Sequence, residues 1–400
     1  MSAVINQRQL FLRHVAQTSD APLALEIVKA KGMEMTDADG KKYLDLIAGI
    51  SVCNLGHCHP KVVKAIRRQA ALYQHLMVYG ELVQSPQVEY ARLLTSQLPS
   101  SLNCVYFTNS GAEATEAAMK LAKRATGRTQ IIAFKQSYHG STQGALSLMG
   151  DEYWRNAFRP LLPGVIHADY NDFSMLEQIG RHTACVFMET VQAERGVVAP
   201  QKKWLTALRK RCKEQGALLV FDEIQAGFGR TGSLWGFEQY KVVPDMVLLG
   251  KALGGGLPLG AVVANRSLLH LFAGSPVLGH ITTFGGHPLS CAAGLAAFKV
   301  LLKEKYHQQV KEKEKLFRRL LQHDAIREVR SHGLLIAVEF ADFDTNKRVI
   351  DACIERGVFV DWFLFAPQCM RIAPPLIISR SEIRKAVKLI LSAIDAVTAR

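Results

Sequence analysis

Between about Asn103 and Ala264 the chain alternates short apolar runs with stretches of helical periodicity. The runs are Cys104 to Phe107, Ile131 to Phe134, Cys185 to Met188, Leu218 to Phe221, Met246 to Leu249 and Ala261 to Ala264. Each is of strand length and nearly continuous in its apolar character. Strands of that kind, alternating with helices, predict an α/β domain around a mostly parallel sheet buried on both faces. Such sheets bind ligands beyond the carboxyl ends of their strands, so candidate chemistry is sought there.

The pattern differs on either side. Glu34 to Thr36 and Tyr43 to Leu46 flank Asp37-Ala38-Asp39-Gly40, a turn composition that predicts a hairpin. From about Leu301 the spacing predicts a long amphipathic helix, then strands at Leu334 to Phe340 and Val358 to Val360, and a closing helix from Ser381. These pieces predict a smaller α+β domain built from both termini. The expected organisation is an N-terminal segment (1–60) packing with the small domain, a large α/β domain (61–300) and a small C-terminal domain (301–400). No repeat, low-complexity tract or linker interrupts the sequence, so the pieces are expected to pack together.

Composition narrows the class. A chain of 400 residues that is 48% hydrophobic and 21% charged is neither disordered nor fibrous. Met1 to Asp20 lacks the apolar stretch and cleavage site of an export signal, and the apolar runs are far shorter than the roughly 20 residues a membrane helix needs. Eight scattered cysteines form no disulfide framework, and a reducing cytoplasm fits best. Cys53, His57, Cys58 and His59 could in principle bind a metal, but no second ligand pair lies nearby, and none is expected. The formal charge of +14 raises the alternative of a basic, non-catalytic nucleic-acid-binding protein. Its densest run, Lys303 to Arg319, interleaves lysines with Glu304, Glu312 and Glu314 and predicts a solvated helix face; no aromatic ladder for stacking bases accompanies it.

Three segments carry candidate chemistry. Leu218 to Phe221 delivers Asp222, Glu223 and Gln225 at a strand end; alone, this segment is better read as a strand-end carboxylate, Asp222, capping the next turn. Met246 to Leu249 delivers Gly250-Lys251 into Gly254-Gly255-Gly256. A lysine leaving a buried strand is costly as mere structure, but desolvation lowers its pKa and suits it to act as a nucleophilic amine. Phe107 to Ser110 runs into an alanine-rich helix from Glu113 to Arg124, where Ser110 can cap the helix and small residues let backbone N–H groups approach a phosphate. Alone this is a common capped helix. Together the three meet one demand: a phosphorylated aldehyde cofactor needs an amine, a carboxylate for its ring nitrogen and an anion cradle.

Asp222-Glu223-Ile224-Gln225, Gly227-Phe228-Gly229-Arg230-Thr231-Gly232 and Gly250-Lys251 resemble the class III, or omega, aminotransferases of pyridoxal-phosphate fold type I. The resemblance runs from Gly56-His57-Cys58-His59-Pro60 to Arg371-Ile372-Ala373-Pro374-Pro375 and is nearest the acetylornithine, ornithine and 4-aminobutyrate group. It implies pyridoxal 5'-phosphate as cofactor, Lys251 as the Schiff-base lysine, and Asp222 as partner of the pyridine nitrogen. It also implies that Gln225 bonds the phenolic oxygen, that Ser110, Gly111 and Ala112 hold the phosphate, and that Tyr138 stacks on the ring. His139 and Glu189, in the adjoining motifs, are counted with the cofactor's contacts. Thr283 would reach the phosphate of a neighbouring subunit, implying a homodimer with shared sites.

Substrate residues follow from the same resemblance. Arg371 stands where the family places the arginine that forks onto an α-carboxylate. Glu194 stands where a glutamate covers that arginine while an ω-amine occupies the pocket, then releases it; the alternative for both is an ordinary salt bridge. Three departures bear on substrate. Ser141 replaces the arginine that usually clamps a distal carboxylate, and Tyr138-His139-Gly140-Ser141-Thr142 is similar to the ω-amine:pyruvate type. Ile50 replaces a carboxylate-binding tyrosine of ornithine aminotransferases. Thr190 and Ala193 replace a proline and a glycine, so the loop beneath Glu194 is expected to differ. The expected reaction is ping-pong transfer of an amino group from an ω-amino acid or related amine to a 2-oxo acid, 2-oxoglutarate foremost. The alternatives are an ω-amine:pyruvate aminotransferase or a pyridoxal-phosphate aminomutase. Small molecules, neither nucleic acid nor membrane, are the expected partners.

Overall fold

All six apolar runs between Asn103 and Ala264 form strands of one sheet in the computed structural model, which describes residues 6–399. The stretch read for an export signal begins with five residues outside those described; Gln7–His14 is a helix capped by Asn6. Beyond it come β1 (Ile27–Lys31), β2 (Glu34–Asp37) and β3 (Lys42–Asp45). The β2–β3 reversal falls where the turn composition put it. Asp37 Oδ1 accepts the N–H groups of Asp39 at 3.1 Å and Lys41 at 2.8 Å, and Gly40 supplies a φ of +82°.

The central sheet contains β4 (Cys104–Thr108), β5 (Gln130–Phe134), β6 (Val165–Ala168), β7 (Thr183–Glu189), β8 (Leu218–Asp222), β9 (Met246–Leu249) and β10 (Gly260–Ala264). Among the described residues its order is β4-β10-β9-β8-β7-β5-β6, and β10 alone runs against its neighbours. The mostly parallel sheet follows from sequence: every residue of β7 is buried, as a strand covered by helices on both faces must be. β6 was not foreseen. It is an edge strand, only Ala168 in it is fully buried, and His167 interrupts its apolar run.

After the sheet come β11 (Glu328–His332), β12 (Leu335–Glu339), β13 (Val358–Phe359), β14 (Asp361–Phe363) and β15 (Ala366–Ile372). Four of them form an antiparallel sheet, β11-β12-β15-β14, while β13 pairs in parallel with β3, so the N-terminal hairpin and the C-terminal region share a sheet. A buried apolar cluster runs from Met33 and Leu46 through Phe221 and Leu249 to Ile390.

The helix expected from about Leu301 is instead two, Pro288–Glu304 and Tyr306–Leu320, broken at Lys305, whose φ is +52°. The first packs on the helices Pro60–Leu72 and Ser85–Ser96, the second on Arg380–Thr398, and one straight rod could not serve both. The charge run is solvated as expected except at Lys313 and the half-buried Glu314. Lys313 is buried, its Nζ donates to the Leu376 carbonyl at 2.6 Å, and burial lowers its pKa to about 8. His57 Nε2 lies 2.7 Å from Asp45 Oδ2 and His59 Nδ1 accepts the Lys61 N–H, so both histidines near Cys53 and Cys58 have protein partners. All eight cysteines are free. Among the described residues no helix is long and apolar enough to cross a membrane.

Candidate active site

Three neighbouring parallel strands, β7, β8 and β9, end beside one cavity of about 280 Å³. Glu189 ends β7 and stands opposite Asp222, the last residue of β8. Lys251 follows β9 by two positions and lines the same cavity. Its φ of +47° is a left-handed conformation that costs a lysine roughly 1–2 kcal/mol, the kind of local strain that clusters at functional sites. Burial pushes the Lys251 pKa down; Asp222, Glu194 and Glu189 pull it back, Arg371 pushes it down again, and the net shift is downward. The amine is therefore more easily deprotonated than an ordinary lysine.

Opposite these strand ends lies the start of a helix, Gly111–Thr126. Ser110 is its N-cap as expected, Oγ accepting the Glu113 N–H at 3.2 Å, and the Glu113 carboxylate reaches back to the Asn109 N–H at 2.7 Å. The N–H groups of Gly111 and Ala112 lack helical partners by position, and the positive end of the helix dipole backs them. Gly111 packs closely on Ile224, whose Cδ1 a Cβ there would meet at 2.7 Å. Ser110→Ala should lower stability by about 1 kcal/mol, the usual loss for a missing N-cap. Guanidinium unfolding of the cofactor-free protein measures it, and an unchanged midpoint would mean that Glu113 caps the helix alone.

Asp222 is held rigidly. Its Oδ2 lies 2.7 Å from His139 Nδ1 and its Oδ1 accepts the Ile224 N–H at 2.9 Å, with both side chains buried. The loop carrying His139 is pinned in turn, since Thr115 Oγ1 donates to the His139 carbonyl at 2.9 Å. Gly140, at φ +125°, has no room for a Cβ, which would fall 2.6 Å from that of Ala112. Glu189 takes the Tyr138 N–H at 3.0 Å and the Ala193 N–H at 3.1 Å, and burial beside Asp222 pushes its carboxyl well above the usual range. Ala193 and Thr190, which depart from the family pattern, are thus tied down: Thr190 Oγ1 donates to the buried Glu223 at 2.5 Å.

On the far wall Arg371 and Glu194 form a two-point fork, Nη1 to Oε1 at 2.9 Å and Nη2 to Oε2 at 2.8 Å. Gln225 Nε2 also donates to Glu194 Oε1, at 3.3 Å, and the Leu364 N–H to Oε2 at 3.1 Å. Burial pushes the Glu194 carboxyl up, but Arg371 and these donors outweigh it and hold it below the usual range. The Arg371 guanidinium also lies 4.6 Å from the Phe363 ring centre, a cation–π contact. The buried Arg230 of the glycine-rich motif bonds the carbonyls of Leu334 and Pro374 and the side chain of Asn54, fastening the segment that follows Arg371.

The cavity therefore gathers Ser110, Gly111, Ala112, Tyr138, His139, Ser141, Glu189, Glu194, Asp222, Gln225 and Lys251. Arg371 reaches it through Glu194. Two expected residues stand apart. Thr283 is exposed, in a segment that also exposes Val277, Leu278, Ile281 and Phe284, and it does not line this cavity. Ile50 does not line it either; it lies in a run of left-handed residues, Ala48 to Ser51, at φ +60°. Ser141 faces the cavity with its Oγ 3.1 Å from the Tyr138 hydroxyl. Val191 lines the cavity unforeseen, and so does the second anion on Arg371 escape the sequence: Asp361 Oδ1 lies 3.1 Å from Nε.

Pyridoxal phosphate fits this donor set. His139 Nε2 and Gln225 Oε1 are buried without partners at the cavity wall, the capped helix start with Gly111 and Ala112 lines the same cavity as an anion cradle, and amine and carboxylate face the same space.

A family model described as aminotransferase class-III matches residues 15–394. Acetylornithine aminotransferase of Methanopyrus kandleri is 41% identical over 388 residues, covering 96% of this chain and 97% of its own. That of Methanosarcina mazei is 41% identical over 383 residues, covering 94% and 93%. Among solved structures, the ornithine aminotransferase of Toxoplasma gondii, whose active site holds pyridoxal phosphate at partial occupancy, superimposes with a TM-score of 0.91 at 31% identity, over 99% of this chain and 96% of its own. An (S)-enantioselective omega-transaminase of Thermomicrobium roseum does so with a TM-score of 0.89 at 29% identity, over 98% and 99%.

Proposed function

The chain belongs to the class-III aminotransferases, which use pyridoxal phosphate, and from that premise we propose that it moves the terminal amino group of an ω-amino acid or related amine, of the acetylornithine type, to 2-oxoglutarate. The donor's terminal amine becomes an aldehyde and the 2-oxo acid becomes an amino acid, in two half-reactions at one site. The observation that carries this reading is the Glu194–Arg371 fork in the wall of the Lys251 cavity.

The bound cofactor supplies a sink for the electrons left when a proton leaves a substrate carbon. The rest falls to the chain's own groups. Lys251 would hold the cofactor's aldehyde, and its amine, with a pKa lowered by burial, is suited to take the proton from the donor's terminal carbon and return it elsewhere. Asp222, oriented by His139, would keep the ring nitrogen protonated. Ser110, Gly111 and Ala112 would hold the phosphate, Tyr138 would contact the ring and Gln225 the phenolic oxygen; all five line the cavity. Glu194 covers Arg371 while a donor with no carboxylate on its reacting carbon is bound; when it gives way, the same guanidinium edge is free for the acceptor's α-carboxylate. The exposed apolar segment around Thr283 is suited to a subunit interface, through which Thr283 would reach the partner's phosphate in a homodimer.

Ser141 favours a second reading, in which the donor is a diamine or simple ω-amine with no distal carboxylate and the acceptor is pyruvate. A panel of N-acetylornithine, ornithine, 4-aminobutyrate and putrescine, each tested against 2-oxoglutarate and pyruvate, separates the two. Preference for N-acetylornithine with 2-oxoglutarate supports the first, and turnover confined to putrescine with pyruvate overturns it. Ser141→Arg should raise kcat/KM for distal-carboxylate donors about tenfold over putrescine, since a charged hydrogen bond contributes roughly 1.5–3 kcal/mol. An unchanged ratio would mean that position 141 does not face the donor's far end.

A further inference from the structure

Arg371 has a second anion. Glu194 occupies the outer edge of its guanidinium through both terminal nitrogens, and the Trp362 carbonyl accepts from Nη2 at 2.8 Å. The remaining donor, Nε, faces Asp361 Oδ1 at 3.1 Å. Asp361 and Arg371 are direct cross-strand partners of β14 and β15, so the pairing is built into the sheet. The contact is ionic without being an aligned hydrogen bond, since neither Nε nor Asp361 Oδ1 has a hydrogen-bond partner although both are buried.

We propose that Asp361 is a specificity-determining residue for the acceptor half-reaction: by sharing Arg371 with Glu194, it sets how strongly that arginine accepts a substrate carboxylate once Glu194 gives way. This rests on the reading of Arg371 as the carboxylate-binding group. When a substrate carboxylate takes the place of Glu194, an ionised Asp361 leaves two anions on one guanidinium, and the incoming one is bound more weakly. Protonated, Asp361 leaves the guanidinium's charge to the substrate.

The surroundings place that choice in the working range. Burial pushes the Asp361 carboxyl up; Arg371 pulls it down, Glu194 and Asp45 push it up again, and it lies at about 7. Asp45 is itself paired with His57 at 2.7 Å, Glu194 is held ionised by Arg371, and Trp362 and Phe363 on the same strand bring no charge. A carboxyl raised in this way is neutral below its pKa and charged above it. Acceptor affinity therefore falls as pH rises through about 7.

The test uses the holoenzyme and 2-oxoglutarate, with KM for acceptor and for amine donor measured from about pH 6 to about pH 8. In the native enzyme the ratio of acceptor KM to donor KM should rise about threefold or more across that range. Asp361→Asn, which keeps the shape and removes the charge, should hold the ratio at its low-pH value throughout. A merely structural role would raise both KM values or lower kcat at every pH. Should the variant fail to fold, the native pH profile still decides, because a flat ratio overturns the proposal. Arg371→Met separates the two readings: if it leaves the acceptor KM unchanged, Arg371 does not read the carboxylate and both fail. If it raises that KM while Asp361→Asn leaves the pH dependence intact, only the role of Asp361 falls.

Discussion

Lys251→Ala should stop turnover. The substitution removes the amine proposed to hold the cofactor and to move the proton, and the second loss alone should lower kcat by about 10²–10⁴-fold. Nothing nearby can take over: Glu194 is bound to Arg371, Asp222 to His139, and Glu189 to two backbone N–H groups. The fold should survive, because the change removes a desolvated amine and the helix cradle is untouched. Cofactor should still bind without a covalent link, so that borohydride, which should fix it to the Lys251 peptide of the native protein, should leave it dialysable in the variant. Added methylamine should restore part of the rate, as a small diffusible base in the space the side chain vacates. Turnover within about tenfold of native without added amine would show that another group moves the proton, and the assignment of Lys251 would fall.

Lys251 and Asp222 were legible because each follows a continuous apolar run, and a charged residue at the end of a buried strand is conspicuous. The sheet was legible for the same reason, down to six of its strands; β6 was not, because an edge strand needs no full apolar run and His167 breaks the pattern. The helix break at Lys305 left no trace, since its cause lies in two distant neighbours that face different ways. Asp361 was hidden differently. Its partner lies across a hairpin whose register slips between Trp362 and Phe363, so counting back from the turn pairs Arg371 with the wrong residue. His139 was read as a cofactor contact from its motif, but its bond to Asp222 joins residues 83 positions apart and only the fold reveals it. The resemblance supplied what spacing could not, the roles of Glu194 and Arg371, and the geometry then added the third charge to that pair.

Asp222→Asn tests the electronic half of the site as Lys251→Ala tests the proton-transfer half. The side chain keeps its shape, and one oxygen can still accept the Ile224 N–H, which Asp222 now takes at 2.9 Å. The amide nitrogen then faces His139, whose Nδ1 can accept if its proton moves to Nε2, a nitrogen at present without a partner. Folding should therefore be little affected, and the loss should appear in chemistry. Without an anion at the ring nitrogen, the electrons released with the substrate proton are less well accommodated, and kcat should fall about 10²–10³-fold, the usual consequence of losing one preorganised electrostatic partner. KM for donor and acceptor should hardly move, because Arg371 and the pocket walls are unchanged. Exchange of the donor's terminal C–H hydrogens with deuterated solvent measures the affected step directly and should slow in parallel with kcat. His139→Phe should produce a smaller fall of the same kind, since it leaves the charge in place and loosens only its aim. If Asp222→Asn slowed product release while leaving hydrogen exchange at the native rate, the carboxylate would be a structural anchor, and the protonation of the ring nitrogen would have to come from elsewhere.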